Sequence, residues 1–590
     1  MILQALTAYY EQLLRRGEIS APGWDGKFKV SFWLTLDTSG ALLDLKDCRI
    51  MLPKGKKEVL SPQEIPVPSH VKRSSGIAAN FLCDNSSYLL GVDEKGKPER
   101  AKQCFDACAA LHHQLLDGVD SPVAKAILAF FDQWDPAQAA AYPFLTAQWK
   151  DLTGSANILF CVENDQGTQL STDDPLIREA WQNHYSANDP DVATAQCLIT
   201  GKQAPVELVH PAVKGVPGAQ SSGAALVSFN APAFCSYGHE QGENAPISKY
   251  GAFAYTTALN LLIADRKHHF RMIGDTVVLC WAESAEHTYA NVMNSFLFGA
   301  QADSGIQEED LAAALRSIAA GRPFAFHEIQ LDPNEHFYIL GIAPNAARLS
   351  VRFFLRDSFG AFARNLQAHA DALRIVRPAF DHKENLSVWD LAQQVTNKNE
   401  RNPAPPPQLT GDLLRAVLQG GRYPATLLNG VTLRIRAEQD VTRGRAAILK
   451  AYYLRNRQNN QTMIPEEVLT VELNEASNYQ PYVLGRLFAV LEALQNAANP
   501  GINTTIKDRY FNAACATPAV VFPTLIKLAQ KHQQKLGTAA SVYYGKQISE
   551  LVGRLSTDFP ARMTLPEQGA FEIGYYHQTQ KRFEKKNVEE

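Results

Sequence analysis

The sequence predicts an α+β protein, a mixed α/β N-terminal body followed by an all-α C-terminal helical bundle. Three observations carry this. Phe28 to Leu36 alternates Phe28, Val30, Phe32, Leu34 and Leu36 against Lys29, Ser31, Trp33 and Thr35, the period of two of a sheet with one buried face. Tyr482 to Ala498 instead sets Val483, Leu484, Leu487, Phe488, Leu491 and Leu494 on one helical stripe and stops at Asn499-Pro500-Gly501. Between them, residues 400–411 (ERNPAPPPQLTG) crowd four prolines into Pro403 to Pro407, which excludes a helix or inner strand and reads as a linker.

The other elements follow in chain order. Leu3, Leu6, Tyr10, Leu13 and Leu14 recur at helical spacing before Gly17, so an amphipathic helix opens the chain. Pro53, Pro62, Pro66 and Pro68 among charged residues read as a long exposed loop over 52–70. A helix begins near Gly251. Arg348, Arg352 and Arg356 share a side on either a helix or a strand, and Leu349, Val351, Phe353 and Leu355 alternate with them. Thr517-Pro518 supplies a cap and a first-turn proline for a helix that Pro523 kinks or resets, and helical patterns recur at about 541–556 and 566–583. The expected regions are 1–265, 266–399, the linker 400–411 and a bundle over 412–590.

At 590 residues and 45% hydrophobic, the chain has material for several cores. Fifty-seven basic and 61 acidic residues nearly cancel, so any nucleic-acid argument must be regional. Residues 401–460 hold ten basic residues against three acidic, a net +7, whereas 151–200 hold eight acids against Arg178, a net −7. The nine scattered cysteines, with no CxxC pair, suit a reducing cytoplasm. No secretory h-region opens the chain and no apolar run is long enough for a membrane helix.

Phosphate-loop, HExxH, GxSxG and GxGxxG motifs are missing, which disfavours a motor ATPase or a standard hydrolase and predicts no catalytic residue and no cofactor. Cys104, Cys108 and His112 have a spacing open to a metal but fit a buried helical face better, so no metal is expected. Asp381-His382 stands without upstream histidines; a metal-dependent nuclease or phosphohydrolase acting on nucleic acid through these residues and scattered acids is the competing reading.

Two stretches suit nucleic acid. VKRSSGIAANFLCDNSSYLLG from Val71 places Lys72, Arg73, Ser74, Ser75, Asn80 and Asn85 around a permissive glycine. KGVPGAQSSGAALVSFNAPAFCSYGHEQGENAPISKYGAFAYTTALNLLI from Lys214 offers Lys214, Gln220, Ser221, Ser222, Asn230 and Asn244 among small residues. These twelve are the candidate motif-reading residues. Arg348, Arg352, Arg434, Arg436, Arg443, Arg445, Lys527 and Lys531 are candidates for holding phosphate backbone or a displaced strand.

Together with MILQAL at the start, GIAPNAARLSVRFF at Gly341 and GGRYPATLLNGVTLRIRAE at Gly420, these stretches resemble the large subunit of the type I-C CRISPR surveillance complex, Cascade, over nearly the whole chain. The resemblance implies a non-catalytic, cytoplasmic, prokaryotic protein. It would recognise the protospacer-adjacent motif on double-stranded DNA, promote duplex opening and R-loop formation, and hold the displaced strand. Its partners would be the CRISPR guide RNA, the target DNA, the other Cascade subunits (backbone, guide 5′-end-binding and small) and the helicase-nuclease recruited after R-loop formation. In that family the C-terminal bundle is similar to the small subunit, which is translated from an internal start. Of the internal methionines only Met463 opens a piece of suitable size, 463–590.

Overall fold

A computed structural model describes residues 2–583 apart from 55–56, 72, 74–75, 94–96, 155, 165–166, 187–192, 300–307, 327–328, 398, 402, 460 and 557. The chain forms two compact units, Met1–Pro211 with Val227–Ala258, and Ala212–Leu226 with Leu259–Glu590.

In the first unit the opening helix is Ile2–Arg15, burying Leu6, Tyr9, Tyr10 and Leu13. The predicted strand over 28–36 is broken at Ser31: Trp24–Val30 pairs with Gln63–Pro68, while Phe32–Leu36 lies in another sheet. That second sheet is built on a parallel pair, Phe32–Leu36 beside Ile158–Asn164, flanked by antiparallel Leu42–Asp47, Cys83–Asp84 and Gly167–Leu170. A parallel pair needs a long crossover, and helices Pro98–Leu116 and Pro122–Gln133 lie within it. The loop expected over 52–70 is corrected to strands Ile50–Lys54, Lys57–Ser61 and Gln63–Pro68. Each belongs to a two-stranded ribbon, so every strand has an unpaired edge on which a proline lacking N–H is tolerated.

Phe105, Phe130, Phe131 and Phe160 pack as an aromatic cluster in this core. His112 sits among them, 4.7 Å from the Phe131 ring and 5.1 Å from Phe81. Its Nδ1 lies 2.8 Å from the Cys108 carbonyl and its Nε2 accepts the Leu82 N–H at 3.0 Å. Both nitrogens are engaged and burial pushes its pKa down to about 4, so His112 is held neutral in the core beside the buried Cys104 and Cys108.

The second unit contains an antiparallel sheet in the order Phe270–Ile273, Thr276–Ala282, His336–Asn345, Arg348–Ser358. Residues 348–358 are thus a strand, and a bulge between the partners of Gly341 and Ile342 leaves Arg352 without a cross-strand partner. After this sheet the chain is helical. Pro407 opens the helix Pro407–Leu418, as a first-turn proline can. One apolar core runs from Ile273 through Leu413, Val417 and Ile448 to Phe571 and Tyr576. The segment 400–411 therefore lies inside one compact unit. The C-terminal helices are Gln480–Ala498, Ile506–Ala516, Pro518–Gln533, Thr538–Gly553 and Leu565–Lys581, with Pro523 inside the third. The first and last approach through Gly485 and Gly574, where a Cβ would meet the Phe571 or Tyr482 carbonyl oxygen at 2.0 or 2.2 Å. Only glycine fits there.

Candidate nucleic-acid interface

The Lys214 segment begins as an arc with a closed neck. Val213 and Ala224 exchange N–H···O bonds of 2.9 and 2.8 Å. Lys214 N–H donates to Asn260 Oδ1 at 2.7 Å, and Arg266 Nη2 donates to the Gly215 carbonyl at 2.6 Å. Gly215, Gly218 and Gly223 have φ of 81°, 80° and 112°, which lets the chain turn back within ten residues. Val216 is buried and plugs the arc, whereas Lys214, Gln220, Ser221 and Ser222 are exposed. Beyond the neck, Ala225 adds to the sheet edge: its N–H donates to Ala347 O, and Leu349 N–H donates to Ala225 O. Ala225, just past the arc, and Arg348, far apart in sequence, thus meet at one sheet edge of this unit.

The other unit presents the rest of the stretch. Ser236–His239 form a turn closed by His239 N–H on Ser236 O at 3.0 Å, with Tyr237 at φ 56° and Gly238 at φ 77°. Asn244 holds it, accepting the Ser236 N–H at 2.8 Å and donating to His239 O and Gln241 O. The side-chain amide of Asn244 is thus engaged in holding this turn. Tyr237 is 99% exposed, an aromatic ring held in solvent on a left-handed backbone that costs a non-glycine residue free energy. Sequence reading passed it over because neither exposure nor the sign of φ is written in residue type. Asn230 is exposed.

The described part of the Val71 stretch is turned into the fold. Lys72, Ser74 and Ser75 lie outside the described residues. Arg73 is ion-paired with Asp84, donates from Nε to Ala78 O at 2.6 Å and stacks over Tyr88 at 3.9 Å. Burial opposes its charge, but the bonds and charge of Asp84 outweigh this and raise its pKa. Asn80 is buried, its Oδ1 on Val71 N–H and its Nδ2 3.1 Å from His70 Nδ1. Asn85 caps the helix Ser86–Leu89. These groups are bound within the fold, so they leave the interface.

The basic segment is likewise turned inward. Arg443 is buried on Asp381, Lys383 O and Glu384 O, and Arg445 on Asp440 O and Glu438. Neither can track DNA, because each satisfies backbone oxygens that burial would otherwise strand. Arg455, counted in the same +7, bonds Ala416 O in the last turn of the helix Pro407–Leu418 and Gly421 O just beyond it. Arg434 lies 3.7 Å from Glu438, Arg436 donates to Gln568 at 2.7 Å, and Arg352 meets Asp275 at 3.3 Å while half exposed. Lys527 and Lys531, one turn apart on Pro518–Gln533, are exposed. Asp381, central to the nuclease reading, is 2.9 Å from Arg443 Nη1 and accepts the Lys383 N–H, which disfavours it as a metal ligand.

With this geometry in hand, a family model described as CRISPR-associated protein (Cas_Csd1) matches residues 6–583. The chain belongs to the Cas_Csd1 family. A search of curated proteins gave no match. Membership makes this a CRISPR-associated protein. Among the described residues, no helix of this Cas_Csd1 protein is long and apolar enough to cross a membrane.

Proposed function

We propose that the chain is the non-catalytic large subunit of a type I-C Cascade ribonucleoprotein, working in the prokaryotic cytoplasm with guide RNA, the other Cascade subunits and a recruited helicase-nuclease. It recognises the protospacer-adjacent motif on duplex DNA, promotes R-loop formation and holds the displaced strand. The observation that carries this reading is the arc 214–223, which exposes an amide, two hydroxyls and an ammonium and runs into Ala225, the backbone partner of Arg348 at the sheet edge. Gln220, Ser221 and Ser222 have the donors and acceptors to read base edges, and Lys214 and Arg348 the charge to engage phosphate. Lys527 and Lys531 offer backbone contacts on the bundle.

The test is binding of the guide-bearing complex, with and without this subunit, to a duplex library randomised beside a guide-matched target at two salt concentrations. A flanking motif selected only with the subunit is expected. Gln220→Ala should abolish that selection at unchanged non-specific affinity, and Lys214→Ala should lower affinity for every sequence and reduce the salt slope by about 1. Equal selection without the subunit would overturn the reading.

A further inference from the structure

The turn between the helix Lys249–Ala264 and the strand Phe270–Ile273 reads DRKHH, Asp265 to His269. Asp265 Oδ1 accepts the N–H groups of Lys267 and His268, and Oδ2 lies 2.8 Å from the His268 Nδ1. His269 is buried, with Nδ1 2.7 Å from the Cys280 carbonyl. A carbonyl only accepts, so Nδ1 carries the proton and Nε2 turns its lone pair toward the cluster. There Nε2 stands 2.7 Å from Nδ1 of His287, the first residue of the helix His287–Phe298, and 3.9 Å from Asp265 Oδ2.

We infer that Asp265, His269 and His287 form a binding site for a divalent transition ion of the zinc kind. Two imidazoles and a carboxylate are a borderline donor set of the type that selects such ions over magnesium or calcium. One ligand atom from each lies within 4.8 Å of the others. Tetrahedral ligands at zinc distances stand about 3.3 Å apart, so the His269–His287 pair opens and the His269–Asp265 pair closes by roughly half an ångström each, while Asp265 and His287, within 4.8 Å of each other, close further. The Cys280 carbonyl orients His269 as a metal-bound histidine is usually oriented, through its other nitrogen. Asp265 is a quarter exposed, which leaves a fourth position for water.

The ion would tie a helix end, a strand start and a helix start together. Arg266, between two ligands, is the residue that holds the Gly215 carbonyl of the arc. A bound ion therefore stiffens the support of that arc; this consequence rests on the proposed DNA-reading role, whereas the site itself does not.

The test uses the full chain, stripped with chelator and titrated with zinc and with cobalt(II) as a spectroscopic probe. One equivalent of zinc should bind and raise the melting temperature, and cobalt should develop visible tetrahedral d–d bands. His287→Gln and Asp265→Asn should each weaken binding about tenfold or more. The melting temperature without metal checks that each variant folds, and the pair guards against one failing to do so. No zinc bound at micromolar concentration, or both folded variants binding like the parent chain, would overturn the assignment. DNA is absent from this measurement, so its failure and that of the DNA-reading proposal are separable.

Discussion

Arg73 and Asp84 close a two-pronged ion pair, Nη1 standing 2.9 Å from Oδ1 while Nη2 meets Oδ2. The same carboxylate takes the backbone N–H groups of Asn80 and Asn85 and is 2% exposed. A residue that looks in sequence like a phosphate ligand is here the counter-ion of a buried hub.

Arg73→Ala should therefore act on stability, lowering it by about 3 kcal/mol, because it strands a buried carboxylate. Arg73→Lys should recover little, since an ammonium cannot fork across both oxygens. Urea midpoints of the full chain decide this. An unchanged midpoint with weakened DNA binding would return Arg73 to the interface.

Tyr237 separates strain from binding. Tyr237→Gly relieves the left-handed backbone and should stabilise the chain by about 1 kcal/mol. If the exposed ring stacks on a base of bound DNA, the same change weakens DNA binding by about 1–3 kcal/mol, and Tyr237→Phe retains most of it. Melting and filter binding on the same three proteins report both effects; equal DNA affinity in all three would remove Tyr237 from the interface.

Glu572 predicts a falling limb of stability against pH. It is buried in the bundle, and desolvation, only partly offset by Arg436, raises its pKa from 4.5 to about 8. Between those values the folded chain holds a proton that the unfolded chain has released, so stability drops as pH rises. His112, His269, His369 and His577, all lowered from 6.5 by burial, act oppositely, but only below 6.5. Lys450, lowered from 10.5 to about 8, acts above that range. Between pH 6.5 and 8 the melting temperature of Glu572→Gln should thus fall less than that of the parent chain. Parallel curves would show that Glu572 is ionised in the fold.

Met463 is 41% exposed, so Met463→Ile should cost the full chain little. If an internal start lies there, this change removes a C-terminal species spanning 463–590 and leaves the 590-residue chain at its normal level. A blot against a C-terminal tag reads both bands, and persistence of the short band would sink the assignment. The missing helix Arg443–Arg455 matters to that fragment, because in the full chain Tyr453 packs on Gly569 and donates to Leu565 O.

Much of the fold was legible because its signals are periodic and local. The opening helix, the apolar stripe from Tyr482 and the proline at the start of Pro518–Gln533 each state their element within a few residues. The 52–70 region was misread because proline reports only a missing N–H, and whether a strand needs that N–H depends on having a second neighbour. The DRKHH turn was visible as letters, but His287 joins it only through the fold.

The sequence by itself determined the α+β class, the helical end, and the small-residue stretch from Lys214. Tertiary structure alone decided which cations face water. Lys214, Lys527 and Lys531 are exposed, whereas Arg73, Arg443 and Arg445 are enclosed by carboxylates and backbone oxygens. The physical reason is that a guanidinium is equally suited to a phosphate and to a buried carbonyl or carboxylate. Charge counted along a chain records how many such groups exist, and only packing fixes which oxygens they meet.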